Sequence, residues 1–299
     1  VVLSFALGAQ AGDGKIEINQ QKALAGGVTS CDTAGFPVSI CAPGAYVLTS
    51  DLDYDSASSS GIEAHVFDVS IDLNGMAVRG SNSCTPGPSG WVTSCALSLV
   101  NFYKGIGLTG RGVIENGRVI GAKSHGIEAG PAVVVRNVLV SDSGGYGIAV
   151  GDRARVSQVI ATSNLAGGVA LGGGSATDVV ASYNGGAGMT AGGTATLEQI
   201  VAEANGSRGI HLAGLGCQLS GFAAKSNAAN GVFAADGAVV TSGAIRDNGV
   251  ADSNFCGLEG SGGASFRGVN ITAGAGGNPA TACGMANAGG NFCQGVPCP

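Results

Sequence analysis

The chain has 299 residues, 44% hydrophobic and only 11% charged, with 55 glycines and nine cysteines. Its net charge is -6 and its fourteen lysines and arginines are scattered singly, so it lacks the basic surface that binding a phosphate backbone requires, which excludes nucleic acid as a partner. No run of eighteen apolar residues exists, which excludes a membrane-spanning helix.

At the N-terminus, VVLSFALGAQAGDG reads as the end of a hydrophobic export signal followed by Ala9-Gln10-Ala11, the small-x-small pattern of a cleavage site. The expectation is a residual signal over residues 1–11 and a mature chain from near Gly12, secreted, displayed at the cell surface or held in a periplasm. The cysteines agree, because they lack the paired C-x-x-C spacing of a zinc site and fit disulfides in an oxidising compartment.

Residues 12–60 read as an N-terminal cap with the first strands, and Cys31 lies close enough to Cys41 to pair. In DLDYDSASSSGIE, Asp51, Asp53 and Asp55 have the first three spacings of a calcium loop, but Ser56 replaces its glycine and Glu63 falls one residue late. Alternate positions on an exposed strand edge give the same pattern without an ion, and three carboxylates there discourage edge pairing. No cofactor is expected, and calcium at this run is the one metal candidate.

Residues 61–250 carry a repeat. Glycines that open an apolar step stand at positions 105, 126, 147, 168, 188, 209 and 231, and a second ladder of Ser143, Asn164, Asn184, Asn205, Asn227 and Asn248 keeps the same beat. Both advance by 20 to 22 residues. After each step glycine, apolar positions alternate with variable ones, as in Ile127 and Ala129 or Ile148 and Val150, which is the period of a half-buried strand. The following glycines 130, 151, 172 and 192 suggest a turn with positive φ. A second strand follows, with apolar positions at Val156, Val159 and Ala161 and again at Leu197, Ile200 and Ala202. Short strands at this spacing predict an all-β right-handed parallel β-helix, one rung per repeat, with stacked asparagines bonded along the ladder. The hexapeptide period of a left-handed β-helix is absent.

Cys84 and Cys95 pair by proximity, and Cys217 is the odd one, a small apolar residue of the core. Residues 251–299 break the period. There Cys256, Cys283, Cys293 and Cys298 form two bridges of open connectivity, and the disulfides near both ends read as caps that close the solenoid.

IEINQQKALAGGVT, GFPVSICAPGAYVLTSDL, VSIDLNGMAVRG, the 21-residue rungs and the closing GGNFCQGVPCP together resemble a family of exported bacterial right-handed β-helix repeat proteins. The resemblance covers nearly the whole chain and implies the pectin-lyase-like fold, but no established activity.

On such a fold, chemistry is carried by columns. The outward column of the first strand reads Glu63, Gly107, Glu128, Ala149, Ala170, Thr190, His211, Phe233, and the position before each step glycine reads His125, Tyr146, Gly167, Ala187, Arg208, Asn230. They describe a smooth strip with His125, Glu128 and Tyr146 at one end and Arg208 and His211 at the other. Such a strip suits an extended glycan, with Glu128, Tyr146, Thr190, Arg208 and His211 as ligand contacts, and is equally compatible with an ordinary solvated face.

Glycan hydrolysis needs two carboxylates one or two rungs apart. The strip is expected to supply none, since Glu128 is followed by Ala149 and Ala170, and the best pair elsewhere, Asp178 and Glu198, is one column out of register. Ser124-His125-Gly126 resembles the Gly-His-Gly of polygalacturonases, but the Asn-Thr-Asp, Asp-Asp and Arg-x-Lys partners of that family are missing. His125, Glu128, Asp178, Glu198, Arg208 and His211 are therefore catalytic candidates without an assembled site. In the second strand, Leu139, Ile160, Val180, Val201, Ala223 and Ala244 make an outward apolar stripe suited to self-association, unless the register slips by one and turns it inward.

The leading expectation is an exported, non-catalytic binding or scaffold module for an extracellular polysaccharide or protein surface. The alternatives are a polysaccharide lyase, glycoside hydrolase or epimerase, and a self-assembling surface protein.

Overall fold

A computed structural model describes residues 14–97, 103–249, 256–272 and 282–298. The export signal expected over residues 1–11 lies outside them. The chain is a right-handed parallel β-helix built from two long sheets. One has eleven short strands, among them Ile62–Ala64, Ile106–Leu108, Ile127–Ala129, Tyr146–Val150 and Ile210–Leu212; the other has the longer strands, such as Val134–Ser141, Ala154–Thr162 and Thr196–Glu203. Each strand pairs in parallel with its equivalent one rung on, as Ile127 with Ile148 and Val135 with Val156.

The expected inward positions form the core. Ile127, Ile148, Val169, Met189, Ile210 and Val232 are fully buried from the short strands, and Val159, Ile200 and Ala202 from the long ones. Inward positions on the long strands are three apart at one point, as from Val156 to Val159, because a residue in the left-handed region bends each strand there. Asn116, Asn137, Gln158, Asp178, Gln199 and Ser242 occupy this column with φ of 52 to 61°. Two further left-handed columns mark the corners, one through Ala132 and Arg153, the other through Asp142, Ser163 and Tyr183. Each costs about 1 kcal/mol in a non-glycine residue, so the stacked ladder must hold them.

The Asn ladder supplies part of that hold. Asn184, Asn205 and Asn227 are fully buried, and each Oδ1 accepts from both the backbone N–H and the Nδ2 of the preceding Asn, at 2.9 to 3.1 Å. The step glycines are required by this ladder: a Cβ at Gly188 would lie 2.7 Å from Asn205 Nδ2, and one at Gly209 2.6 Å from Asn227 Nδ2. The turn glycines correct an expectation. Gly130 and Gly192 do not have positive φ; a Cβ there would meet the carbonyl oxygen of Thr109 at 2.3 Å or of Gly172 at 2.7 Å, so close stacking of successive turns excludes a side chain.

Cys31–Cys41, Cys84–Cys95, Cys256–Cys283 and Cys293–Cys298 are bonded, and Cys217 is free and buried. At the N-terminal end a short helix, Gln20–Ala25, is capped by Asn19, and at the C-terminal end Cys293–Cys298 clasps a small antiparallel hairpin. Cys84–Cys95 is placed otherwise. It clasps an antiparallel hairpin, Cys84–Pro86 with Val92–Cys95, laid lengthwise over the corners of the middle rungs. Cys84 N–H donates to Asp142 Oδ1 at 3.3 Å, Val92 N–H donates to Tyr183 O at 3.1 Å, and Trp91 reaches Gly206.

Candidate functional site

The strip lies on the outward face of the short-strand sheet in the register expected: Glu63 beside Gly107, then Glu128, Ala149, Ala170, Thr190, His211 and Phe233. Tyr146, Gly167 and Ala187 align in the neighbouring column. The middle of the strip therefore carries small side chains only. The Cys84–Cys95 hairpin follows the corners that lead into these strands and borders the strip on the side of Tyr146 and Arg208.

At one end, His125 Nδ1 accepts the Tyr146 backbone N–H at 3.0 Å, and the two rings tilt against each other at 5.9 Å. Burial holds the His125 pKa below the ordinary imidazole value, against the pull of the Glu128 carboxylate. A neutral imidazole with Nδ1 as acceptor carries its proton on Nε2, so His125 presents a donor to a ligand and is poorly placed as a base. Lys104 Nζ stands 3.3 Å from Glu128 Oε2.

The absence of a carboxylate pair from the strip is corrected by the register. Glu63 and Glu128 lie two rungs apart in one column, with only the side-chain-free Gly107 between them. A cleft of about 230 Å³ opens there, lined by Glu63, Lys104, Gly107, Thr109 and Glu128. Lys104 and Ser60 were also missed as site residues. The reason is local: 44 residues separate Ser60 from its neighbour Lys104, twice the usual rung, because the hairpin is inserted between them. A glycine at the outward centre of a strand, between two acids, was the available signal.

At the other end, the Arg208 guanidinium lies over the Phe233 ring at 4.4 Å, and His211 meets the same ring edge-on at 5.3 Å. Burial, reinforced by the Arg208 charge, lowers the His211 pKa. Asn230 donates to Glu259 Oε2 at 2.9 Å. Thr190 sits between the two clusters, beside His211.

Other candidates lie elsewhere. Asp178 and Glu198 belong to the long-strand sheet, where Glu198 aligns with Thr177, so neither joins His125. Asp51 and Asp53 share Arg79, at 3.0 and 2.6 Å, while Asp55 accepts from Ser58 and Ser81. These carboxylates are engaged by the protein itself, and no group of three metal-ligating side chains spaced for an ion occurs among the described residues. A larger concavity of about 500 Å³ follows the bend of the long sheet, but Asn116 and Asn137, its central amides, are bonded to Asp72 and to each other. The apolar stripe faces outward: Leu139, Ile160, Val180, Val201, Ala223 and Ala244 are in register, and Ile160, Val180 and Val201 are 44, 36 and 37% exposed.

No protein-family model matches the chain, and no curated protein matches its sequence. Among solved structures, it is similar to the A-module of the Azotobacter vinelandii mannuronan C-5 epimerase AlgE4, with 13% identity and a TM-score of 0.51 over 84% of this chain and 88% of that one. The Dettilon tailspike protein (16%, TM-score 0.48) and the catalytic unit of a GH87 α-1,3-glucanase from Streptomyces thermodiastaticus (14%, TM-score 0.47) match 81 and 87% of this chain. The chain spans about three-fifths of each of those two, 62 and 61%. At these identities the likeness is one of fold, and it agrees with the stacked register of a right-handed parallel β-helix.

Proposed function

We propose that the protein is an exported β-helix whose short-strand face binds an extended extracellular polysaccharide. The observation that carries this reading is the strip itself: small side chains at Ala149, Ala170, Gly167 and Ala187, with hydrogen-bonding and aromatic groups gathered at either end and the hairpin along one side. Sugars present apolar ring faces and many hydroxyls, so a smooth floor with convergent polar groups at its ends suits them. The fold shared with a mannuronan epimerase module supports the same class of ligand. Four disulfides support an oxidising, extracellular or periplasmic location.

The test is affinity electrophoresis of the protein through gels containing alginate, polygalacturonate, α-1,3-glucan or xylan. At least one polymer should retard the wild type, and Ala170→Arg, which raises the floor of the strip, should weaken that retardation at least about tenfold, or 1.4 kcal/mol. Unchanged mobility of Ala170→Arg in a retarding polymer places the ligand elsewhere. The exposed stripe of Ile160, Val180 and Val201 favours a second reading, self-association along the long-strand sheet, for which sedimentation of the wild type against Val180→Lys is the measurement.

A further inference from the structure

We infer that the outward face of the long-strand sheet docks onto a second copy of this chain through an antiparallel two-fold, its axis crossing between the rungs of Val201 and Ala223. The inference rests on self-association along that sheet, to which it gives a geometry, and is independent of what the short-strand face binds. The apolar stripe has a large half and a small half. Ile160, Val180 and Val201 stand out from the sheet, and Ala223, Ala244 and Asn270 continue the same column. Over the two alanines a hollow of about 300 Å³ opens, bordered by Lys225, Arg246, Asn270 and Thr272. The bend column repeats the pattern, with exposed Gln158, Asp178 and Gln199 followed by Gly221, Ser242 and Gly268.

A two-fold that reverses the solenoid axis keeps each column facing its own column and reverses the order of the rungs. Val201 then lies over Ala223 of the second copy and Val180 over its Ala244, while Gln199 and Asp178 lie over its Gly221 and Ser242. The large half of each copy fills the hollow of the other, and the walls of that hollow gain dispersion contacts that an empty space forfeits. A two-fold along the solenoid axis instead sets Val180 on Val180 and Ala223 on Ala223, leaving the two hollows to face each other.

Charge fixes the register. Beside the stripe runs the column Thr162, Ser182, Glu203, Lys225, Arg246, in which Lys225 Nζ and Glu203 Oε1 pair at 2.9 Å. The antiparallel two-fold lays Glu203 over Lys225 of the second copy and Lys225 over its Glu203, so two pairs close into an alternating ring of four charges. Moving the axis onto the Val201 rung sets Glu203 against Glu203, and moving it onto the Ala223 rung sets Lys225 against Lys225. Like charges so opposed disfavour both registers. The matched face is five rung spacings long, about 24 Å, and about 13 Å wide. That is the low end for a specific interface, so the dimer should form reversibly with concentration. The strip lies on the other sheet, and both copies keep it open.

The experiment combines sedimentation velocity of the whole protein across a concentration series with crosslinking of cysteine variants. A monomer–dimer equilibrium is expected. Glu203→Lys should weaken dimerisation at least about tenfold, and adding Lys225→Glu, which restores opposite charges within and between copies, should return it to within about threefold of wild type. Opposed sheets lie about 10 Å apart, so a short bis-maleimide should link Val180→Cys to Ala244→Cys when the two variants are mixed. Neither variant alone should link, because like positions are offset by a further three rungs, about 14 Å. The wild type, whose free Cys217 is buried, is the control. Linkage of Val180→Cys to itself, no linkage in the mixture, or dimerisation unmoved by Glu203→Lys overturns the antiparallel arrangement, while a sedimenting dimer keeps self-association. A monomer at every concentration overturns both and leaves retardation by polysaccharide untouched.

Discussion

Asn205 shows what one residue of the ladder contributes. Its Oδ1 accepts the buried Asn184 backbone N–H at 3.1 Å and its Nδ2 donates to the Ala181 carbonyl at 3.0 Å. Asn205→Ala leaves both groups without that partner and out of reach of water, and each such loss costs about 1–3 kcal/mol. A destabilisation of about 2–4 kcal/mol is expected by denaturant unfolding; a change under about half a kcal/mol would show that neighbouring rungs relax to replace the bonds. His125 makes a second residue-scale prediction. Its folded pKa is depressed, chiefly by burial, so the folded state binds fewer protons than the unfolded chain and stability rises with pH. The contribution is intact above the ordinary value of 6.5 and is lost as pH drops from there through the lower folded value. NMR titration should place the His125 midpoint below 6.5, and His125→Asn should flatten the stability slope across that window. A midpoint at or above the ordinary value would show that the Glu128 carboxylate dominates.

Single elements differ in how plainly the sequence announces them. The short strands were readable because glycine, apolar, variable, apolar recurs without insertion from Gly105 to Ala234, and the register of the strip follows from that alone. The bend of each long strand was written in the three-residue step from Val156 to Val159, but left-handed Asn, Gln, Asp and Ser look like ordinary outward polar residues until their φ is known. The hairpin was unreadable in placement: proximity pairs Cys84 with Cys95, but nothing local says that the pair lies against Asp142 and Tyr183, 58 and more residues away. The insertion also concealed Lys104 and Ser60, which stand 44 residues apart in sequence and side by side in the fold. The hairpin has a clean reporter, because Trp91 is the one tryptophan of the chain and packs at Gly206. Replacing both Cys84 and Cys95 with alanine should shift Trp91 emission to the red and weaken glycan retardation while the far-ultraviolet spectrum of the solenoid stays unchanged, since only this satellite of the core loosens. Loss of the β-sheet signal would instead make the hairpin part of the folding core.

Across the whole molecule, the stacking that builds the core also sets the scale of the ligand. Glu128 and His211 are four rung spacings apart in one column, a span of about 19 Å. A short oligosaccharide can touch one polar end or the other; only a chain that covers the alanine floor can reach Glu128 and Arg208 together. Engagement of both ends by one ligand makes the second contact intramolecular, so affinity should rise steeply with chain length until the span is covered and then level off. Calorimetry with size-fractionated oligosaccharides of a retarding polymer measures this directly. Arg208→Ala tests the assignment of the far end: it should remove the gain from length while leaving the affinity of the shortest ligands that bind near Glu128 unchanged. Equal affinity for a disaccharide and a long chain would mean that one end suffices, and the smooth strip between the clusters would then be surface rather than site.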